Sequence, residues 1–199
     1  MWGGDLLPRL LIGLLLALAC CMKGALAAQP VVYLDALPGK SAANMLFQHF
    51  EDPSRQLTLK NMLDTDPGLP FSDSADTIFN RGYSDSAYWL RARVALPANA
   101  TAPITRYLEV DYSLLDDVEF HIVHAGQVEQ VWRTGDSRPF HTRPIDHARF
   151  LFPLELQPGD ENLLFLRVTS TSSLRIPMTL WDPFTFYQEQ RIDLLVDGI

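Results

Sequence analysis

Between Arg133 and Pro153 the chain reads RTGDSRPFHTRPIDHARFLFP, and Arg133, Asp136, Arg138, Arg143, Asp146, His147 and Arg149 all fall within it. Guanidinium groups are planar five-donor forks, and carboxylates are their natural partners or acceptors for hydroxyl groups. The stretch opens in a turn at Gly135 and closes on the apolar run Phe150-Leu151-Phe152. Pro139 and Pro144 stiffen it by fixing φ and removing two backbone donors. A long polar connection held by a scaffold is where binding groups sit. Ion pairs that merely tie a loop to nearby strands have the same composition. On these residues alone both readings stand.

Other chemistries find less support. His121 and His124 are three residues apart, and on a strand that spacing puts them on opposite faces, where they cannot share an ion. Each reads as a half-exposed polar residue. Asp64-Thr65-Asp66 and Asp116-Asp117 offer oxygen ligands for calcium, but neither matches an EF-hand loop. No metal or cofactor is expected. No G-x-S-x-G elbow is present, and the hydroxyl-rich turn from Thr169 to Ser173 has no neighbouring histidine. Asp111, Asp116, Asp136 and Asp146 could supply the paired carboxylates of a glycoside hydrolase, as any acid-rich β-domain could. The chain is therefore read as a binding domain and not an enzyme, with a carbohydrate-active hydrolase as the alternative.

The binding groups must be positioned by strands. Trp89 and Arg91 fall on the less apolar face of one strand, Asp111 on that of another and Arg167 on that of a third. With Asp136, Arg143, Asp146 and His147 from the loop they are expected to surround a ligand where the loop crosses a sheet. Trp89 would stack on a sugar face while the Arg and Asp groups bond its hydroxyls. The competing expectation is an Arg–Asp network that only holds the loop down.

Period-two alternation supplies the strands. Tyr88 to Leu96, Tyr107 to Tyr112 and Asp117 to Val123 alternate well. Ala125-Gly126 turns the chain into Val128 to Trp132. Val31 to Leu34, Asn44 to Phe50, Arg149 to Leu156, Leu163 to Ser170 and Arg175 to Trp181 complete the set. Thr58 is expected to cap a short helix through Leu63, and Gln188 to Val196 reads as helical. Strands about ten residues apart, with turns between them, indicate an all-β sandwich. Tyr88, Leu90, Val94, Val110, Phe120, Ile122, Phe152, Leu166 and Val168 are its expected core. Pro183 is taken as the end of the sandwich, and 184–199 as a helical linker that leaves it.

A chain of 199 residues suggests one domain with a sizeable core. Arg9 precedes an apolar run, and Ala25-Leu26-Ala27 has the small-x-small form of a signal-peptidase site. Residues 1–27 are read as a signal peptide and 28–183 as an exported β-sandwich. An uncleaved anchor and a lipoprotein site at Cys21 are the alternatives. The net charge of −8 becomes −9 once residues 1–27, net +1, are removed. An acidic domain does not invite nucleic acid or anionic lipid. Cys20 and Cys21 both lie in the leader, so the mature chain has no thiol or disulfide.

An ordered set of short motifs carries a resemblance. Tyr88-Trp89-Leu90-Arg91, Leu108-Glu109-Val110-Asp111-Tyr112, Leu115-Asp116-Asp117-Val118, Arg133-Thr134-Gly135-Asp136, Arg143-Pro144-Ile145-Asp146-His147, Phe152-Pro153-Leu154, Leu166-Arg167-Val168 and Pro177-Met178-Thr179-Leu180-Trp181 follow one another. Over about residues 31–187 the chain resembles the periplasmic sensor domain, extracellular type 2, of seven-transmembrane receptors with diverse intracellular signalling modules, the DISM receptors. The resemblance implies a jelly-roll β-sandwich similar to carbohydrate-binding modules, with a short inserted helix and a C-terminal helix. It implies a periplasmic location, a glycan or other small-molecule ligand, and a tether to the inner membrane through downstream helices. It also implies a cytoplasmic kinase or diguanylate cyclase output. A homodimer or a partner receptor is compatible with it, as is a purely structural or dimerisation module. Whether the chain is a receptor fragment or free-standing stays open.

Overall fold

Phe120 and Phe152, 4.8 Å apart between ring centroids, join two β-sheets across one apolar layer. The computed structural model describes residues 29–35, 39–65, 68–74 and 77–197, so the expected signal peptide lies outside the described residues. The seven-stranded sheet runs β4 (Ser72–Asp73), β3 (Gln48–Asp52), β6 (Ala87–Ala95), β11 (Glu161–Thr169), β8 (Asp117–His124) and β9 (Gln127–Thr134). β1 (Val31–Tyr33) pairs in parallel with the half of β6 that β3 leaves free. The four-stranded sheet runs β10 (Phe150–Leu156), β7 (Ile104–Val110), β13 (Met178–Trp181) and β2 (Lys40–Ala42). A short ladder joins β12 (Leu174–Ile176) to β5 (Phe79–Gly82). This is the all-β sandwich the alternation predicts.

Every expected core residue named above is buried, because the period-two faces of β6, β7, β8, β10 and β11 all turn inward together. The hairpin at Ala125-Gly126 has both residues at positive φ, 48° and 77°, matching the twist of β8 and β9.

Three local expectations need correction. Asn44 to Phe50 is not one strand: a 3-10 turn fills Asn44–Leu46, and β3 starts at Gln48. Arg175 to Trp181 is split into β12 and β13 at Pro177, which has no N–H for a ladder. The two departures are linked, since the Asn44 amide donates to the Ile176 carbonyl at 2.6 Å and accepts from the Met178 N–H at 2.8 Å, bridging the break. Third, the C-terminal helix, α2 (Pro183–Asp197), begins at Pro183 rather than near Gln188. Proline is well placed in a first helical turn, and the Asp182 carboxylate caps it by accepting from the N–H groups of Phe184 and Thr185.

The outer face of the four-stranded sheet is covered by α2. Phe186, 1% exposed, packs on Leu151, Trp181 and Tyr107. The start of this helix is thus docked on the sandwich rather than leaving it. No helix among the described residues is long and apolar enough to cross a membrane. The outer face of the seven-stranded sheet is covered differently, by residues 53–65 and 68–71, which include the short helix α1 (Leu59–Thr65) that Thr58 is expected to open.

Candidate ligand site on the outer face of the large sheet

Strand register lines up side chains across the outer face in rows. Arg133, Glu119, Arg167, Trp89 and Phe50 are successive cross-strand partners on β9, β8, β11, β6 and β3. The next row is Val131, His121, Phe165, Arg91 and Gln48. Apolar members of this face gather at one side. Trp89, Phe165 and Val123 pack with Met62 of α1, and Phe50, Leu57, Leu59, Leu63, Leu69 and Phe71 close round them. Residues 53–65 and 68–71 are therefore a strap with its own small core.

Asp52 sets where the strap begins. Its carboxylate accepts from the backbone N–H groups of Ser54, Arg55 and Leu57, at 3.1, 3.1 and 3.0 Å. That knot holds Arg55 at a φ of 58°, a costly conformation for a residue other than glycine. The Arg55 carbonyl in turn accepts from Arg167 Nη2 at 3.1 Å, so the strap is tied to β11.

Between the strap and β8–β9 lies a cleft of about 480 Å³ lined by Arg55, Leu57, Lys60, Trp89, Glu119, His121, Val131, Arg133 and Arg167, among others. Its floor holds buried polar groups without partners. Trp89 Nε1, His121 Nδ1 and Arg167 Nε are buried and make no hydrogen bond. An unpaired buried donor costs roughly 1–3 kcal/mol, so such groups mark a place where a partner is called for. Glu119 is shared among three neighbours: His121 Nε2 at 3.4 Å, Arg133 Nε at 3.5 Å and Arg167 Nη1 at 3.8 Å. The His121 contact is longer than an ordinary hydrogen bond, and among the described residues Glu119 is the one polar group that Nε2 faces. That ring nitrogen is the largest influence holding the Glu119 carboxyl below its ordinary range, opposed by burial and supported by the charges of Arg133 and Arg167.

The eight residues expected to form one site are divided among the cleft, the far end of its sheet and the β9–β10 loop with the four-stranded sheet. Trp89 and Arg167 meet in the cleft, the guanidinium carbon 5.9 Å from the indole centroid. Arg91 shares their face but lies under the far end of the strap, stacked 4.0 Å over Phe71 and donating to Gln48. Asp111 and His147 lie beside the four-stranded sheet and α2, and Asp136, Arg143 and Asp146 stay on the loop between β9 and β10. There the loop is spent on holding itself. Arg143 Nη1 donates to the carbonyls of His147 and Ala148, and its guanidinium lies between the rings of Phe140 and Phe150. Burial lowers its pKa, against the opposing charge of Asp136. His147 accepts the Arg149 N–H at Nδ1, and its Nε2 meets Gln190 Oε1 at 3.1 Å. Arg149 pairs with Asp111 at 3.1 Å and with buried Glu109 at 2.7 Å. Asp136 and Asp146 are exposed. Convergence fails because β6 and β11 lie in one sheet while β7 lies in the other, and the loop runs from the end of β9 into β10 instead of crossing the face that carries Trp89 and Arg167.

The role expected for Trp89 changes as well. Its side chain is 0% exposed, with His121 stacked against it at 6.2 Å, so no indole face is open to a sugar ring. His121 is 2% exposed and belongs to the site, against the reading of it as a half-exposed strand residue. Glu119, His121, Arg133 and Arg55 are the cleft residues that sequence reasoning left out of the site. Alternation alone puts Glu119 and His121 on one face of β8; nothing in the sequence says that β11, and not another strand, lies beside it. Among the described residues no group of three or more His, Cys, Asp or Glu side chains could hold a metal ion.

A family model described as 7TMR-DISM extracellular 2 matches residues 45–182, which span every strand of the two sheets except β1 and β2. No curated protein matches the chain at a significant level.

Proposed function

Because the chain belongs to the 7TMR-DISM extracellular 2 family, we propose that it is a periplasmic ligand-sensing domain whose ligand enters the cleft beneath the strap. Membership carries the coarse role, an extracellular sensor domain of a transmembrane receptor. The finer reading is that a small polar ligand, a carbohydrate or a related molecule, meets the unpaired donors of Trp89 and Arg167. Occupancy is then relayed through the tethered receptor to a cytoplasmic kinase or diguanylate cyclase output. Support comes from one observation above all: buried, partnerless polar groups of three residues line the same cleft.

The cleft favours binding over hydrolysis. Glycoside hydrolysis calls for two facing carboxyl groups, one of raised pKa. Glu119 is the one acid among the lining residues, and its carboxyl is shifted down, not up.

Calorimetric titration of the purified chain against a panel of mono- and oligosaccharides tests the proposal, with Arg167→Gln as control. Binding that Arg167→Gln weakens supports the cleft. Binding that Arg167→Gln leaves unchanged places the ligand elsewhere and defeats it.

A further inference from the structure

The cleft is built for an anion, and we infer that its ligand carries a carboxylate, as a sugar acid does; this rests on the reading of the cleft as the ligand site. Trp89 Nε1 and Arg167 Nε can only donate, so each calls for an acceptor oxygen. Four cations, Arg55, Lys60, Arg133 and Arg167, line the cleft against the single acid Glu119. Lys60 is engaged by Asp64 at 2.7 Å, which leaves three. The chain as a whole runs the other way, with 24 acidic against 16 basic residues, so the local excess is not a consequence of composition.

Glu119 does not exhaust these cations. No nitrogen of Arg133 or Arg167 comes closer to it than the 3.5 and 3.8 Å already given. The other carboxylate near Arg167, Asp117 at 3.7 Å, is held by Arg138 at 2.5 Å. Arg133 is 57% exposed at the cleft edge, free to swing onto an entering oxyanion, while Arg167, 13% exposed, waits on the floor. Charge-assisted bonds from guanidinium to carboxylate are about twice as strong as neutral ones. A neutral sugar would meet the same donors but would lack its usual aromatic platform, since the Trp89 face is covered. Recognition by charge and donors, without stacking, is the signature of an acidic ligand.

The test compares melting temperatures of the purified chain with D-galacturonate, D-galactose, acetate or inorganic phosphate added, at low and at physiological ionic strength. Galacturonate should raise the melting temperature, more so at low salt, and galactose should not. Arg133→Gln, at an exposed position that folding tolerates, should weaken galacturonate binding by about tenfold or more, and Arg167→Gln likewise. A response to phosphate or acetate equal to that of galacturonate overturns the sugar acid and leaves a bare oxyanion site. Equal responses to galactose and galacturonate, both lost in Arg167→Gln, overturn the anion inference while the cleft stands as the ligand site. A galacturonate response that survives both substitutions overturns both. No response to any acid overturns the inference.

Discussion

The imidazole of His121 lies nearly parallel to the indole of Trp89, ring centroids 6.2 Å apart and planes 20° from one another. The two residues are on strands that never touch, β8 and β6, with β11 between them. Their contact turns a polar sheet face into a closed floor. It removes Trp89 as a stacking platform and leaves its N–H, with His121 Nδ1, as an unmet polar group. Glu119 and Arg167 stand beside this pair, and the acid response of the domain should show it.

Glu119 has a folded-state pKa below the unfolded value, chiefly through His121. A depressed carboxyl stabilises the fold above the unfolded pKa of about 4.3, and that contribution is lost as pH falls through the folded value. Glu119→Gln should therefore cost stability at neutral pH and flatten the acid branch of a melting-temperature profile. A variant whose acid branch falls as steeply as the parent's would show that another group controls it.

Arg143 serves its own loop. Arg143→Ala removes the bonds to the His147 and Ala148 carbonyls and the contacts with Phe140 and Phe150, and should cost about 1–3 kcal/mol in denaturant unfolding. Arg143→Lys should recover little of it, because an ammonium does not present a flat fork between two rings. Ligand affinity should be unchanged. A stable Arg143→Ala chain that had lost its ligand would move the site to this loop.

Gly135 admits no side chain. A Cβ there would lie 2.1 Å from the Asp116 carbonyl oxygen, and its φ of 143° is unfavourable for other residues. Gly135→Ala should lose about 2–4 kcal/mol, since the clash is with backbone that cannot swing aside. Circular dichroism melts would register it, and a change within about 0.5 kcal/mol would mean that the turn relaxes freely.

Phe120 sits at the centre of the core, packed against Phe152 and stacked on Trp132 at 6.0 Å. Phe120→Ala should cost about 3–5 kcal/mol, the range of large-to-small core changes. A loss below about 1 kcal/mol would mean the site collapses around the gap.

The sequence by itself determined the long strands, their inward faces and the family, but not the short strands β2, β4 and β5. Alternation is a local property, so Tyr88, Leu90 and Val94, or Phe120 and Ile122, could be assigned to the core without knowing any neighbour. Motif order in the chain was likewise enough for the resemblance that the family match bears out. Local signals also found α1 and the Ala125-Gly126 turn. They failed at Pro177, where the remote Asn44 bridges the break, and at Pro183, where the adjacent Asp182 caps the helix through a local signal that the reading passed over. Tertiary structure alone decided which polar residues meet. Trp89 and Arg167 are 78 positions apart in the numbering and become direct partners only through the β6–β11 register. Asp111, equally polar and equally suggestive, was carried to the opposite sheet, and Arg143 turned back onto its own loop. The physical reason is that alternation fixes which side of its own strand a residue takes, but strand order and sheet membership arise from pairing across the whole chain. The side chains that line the cleft were readable; the cleft was not.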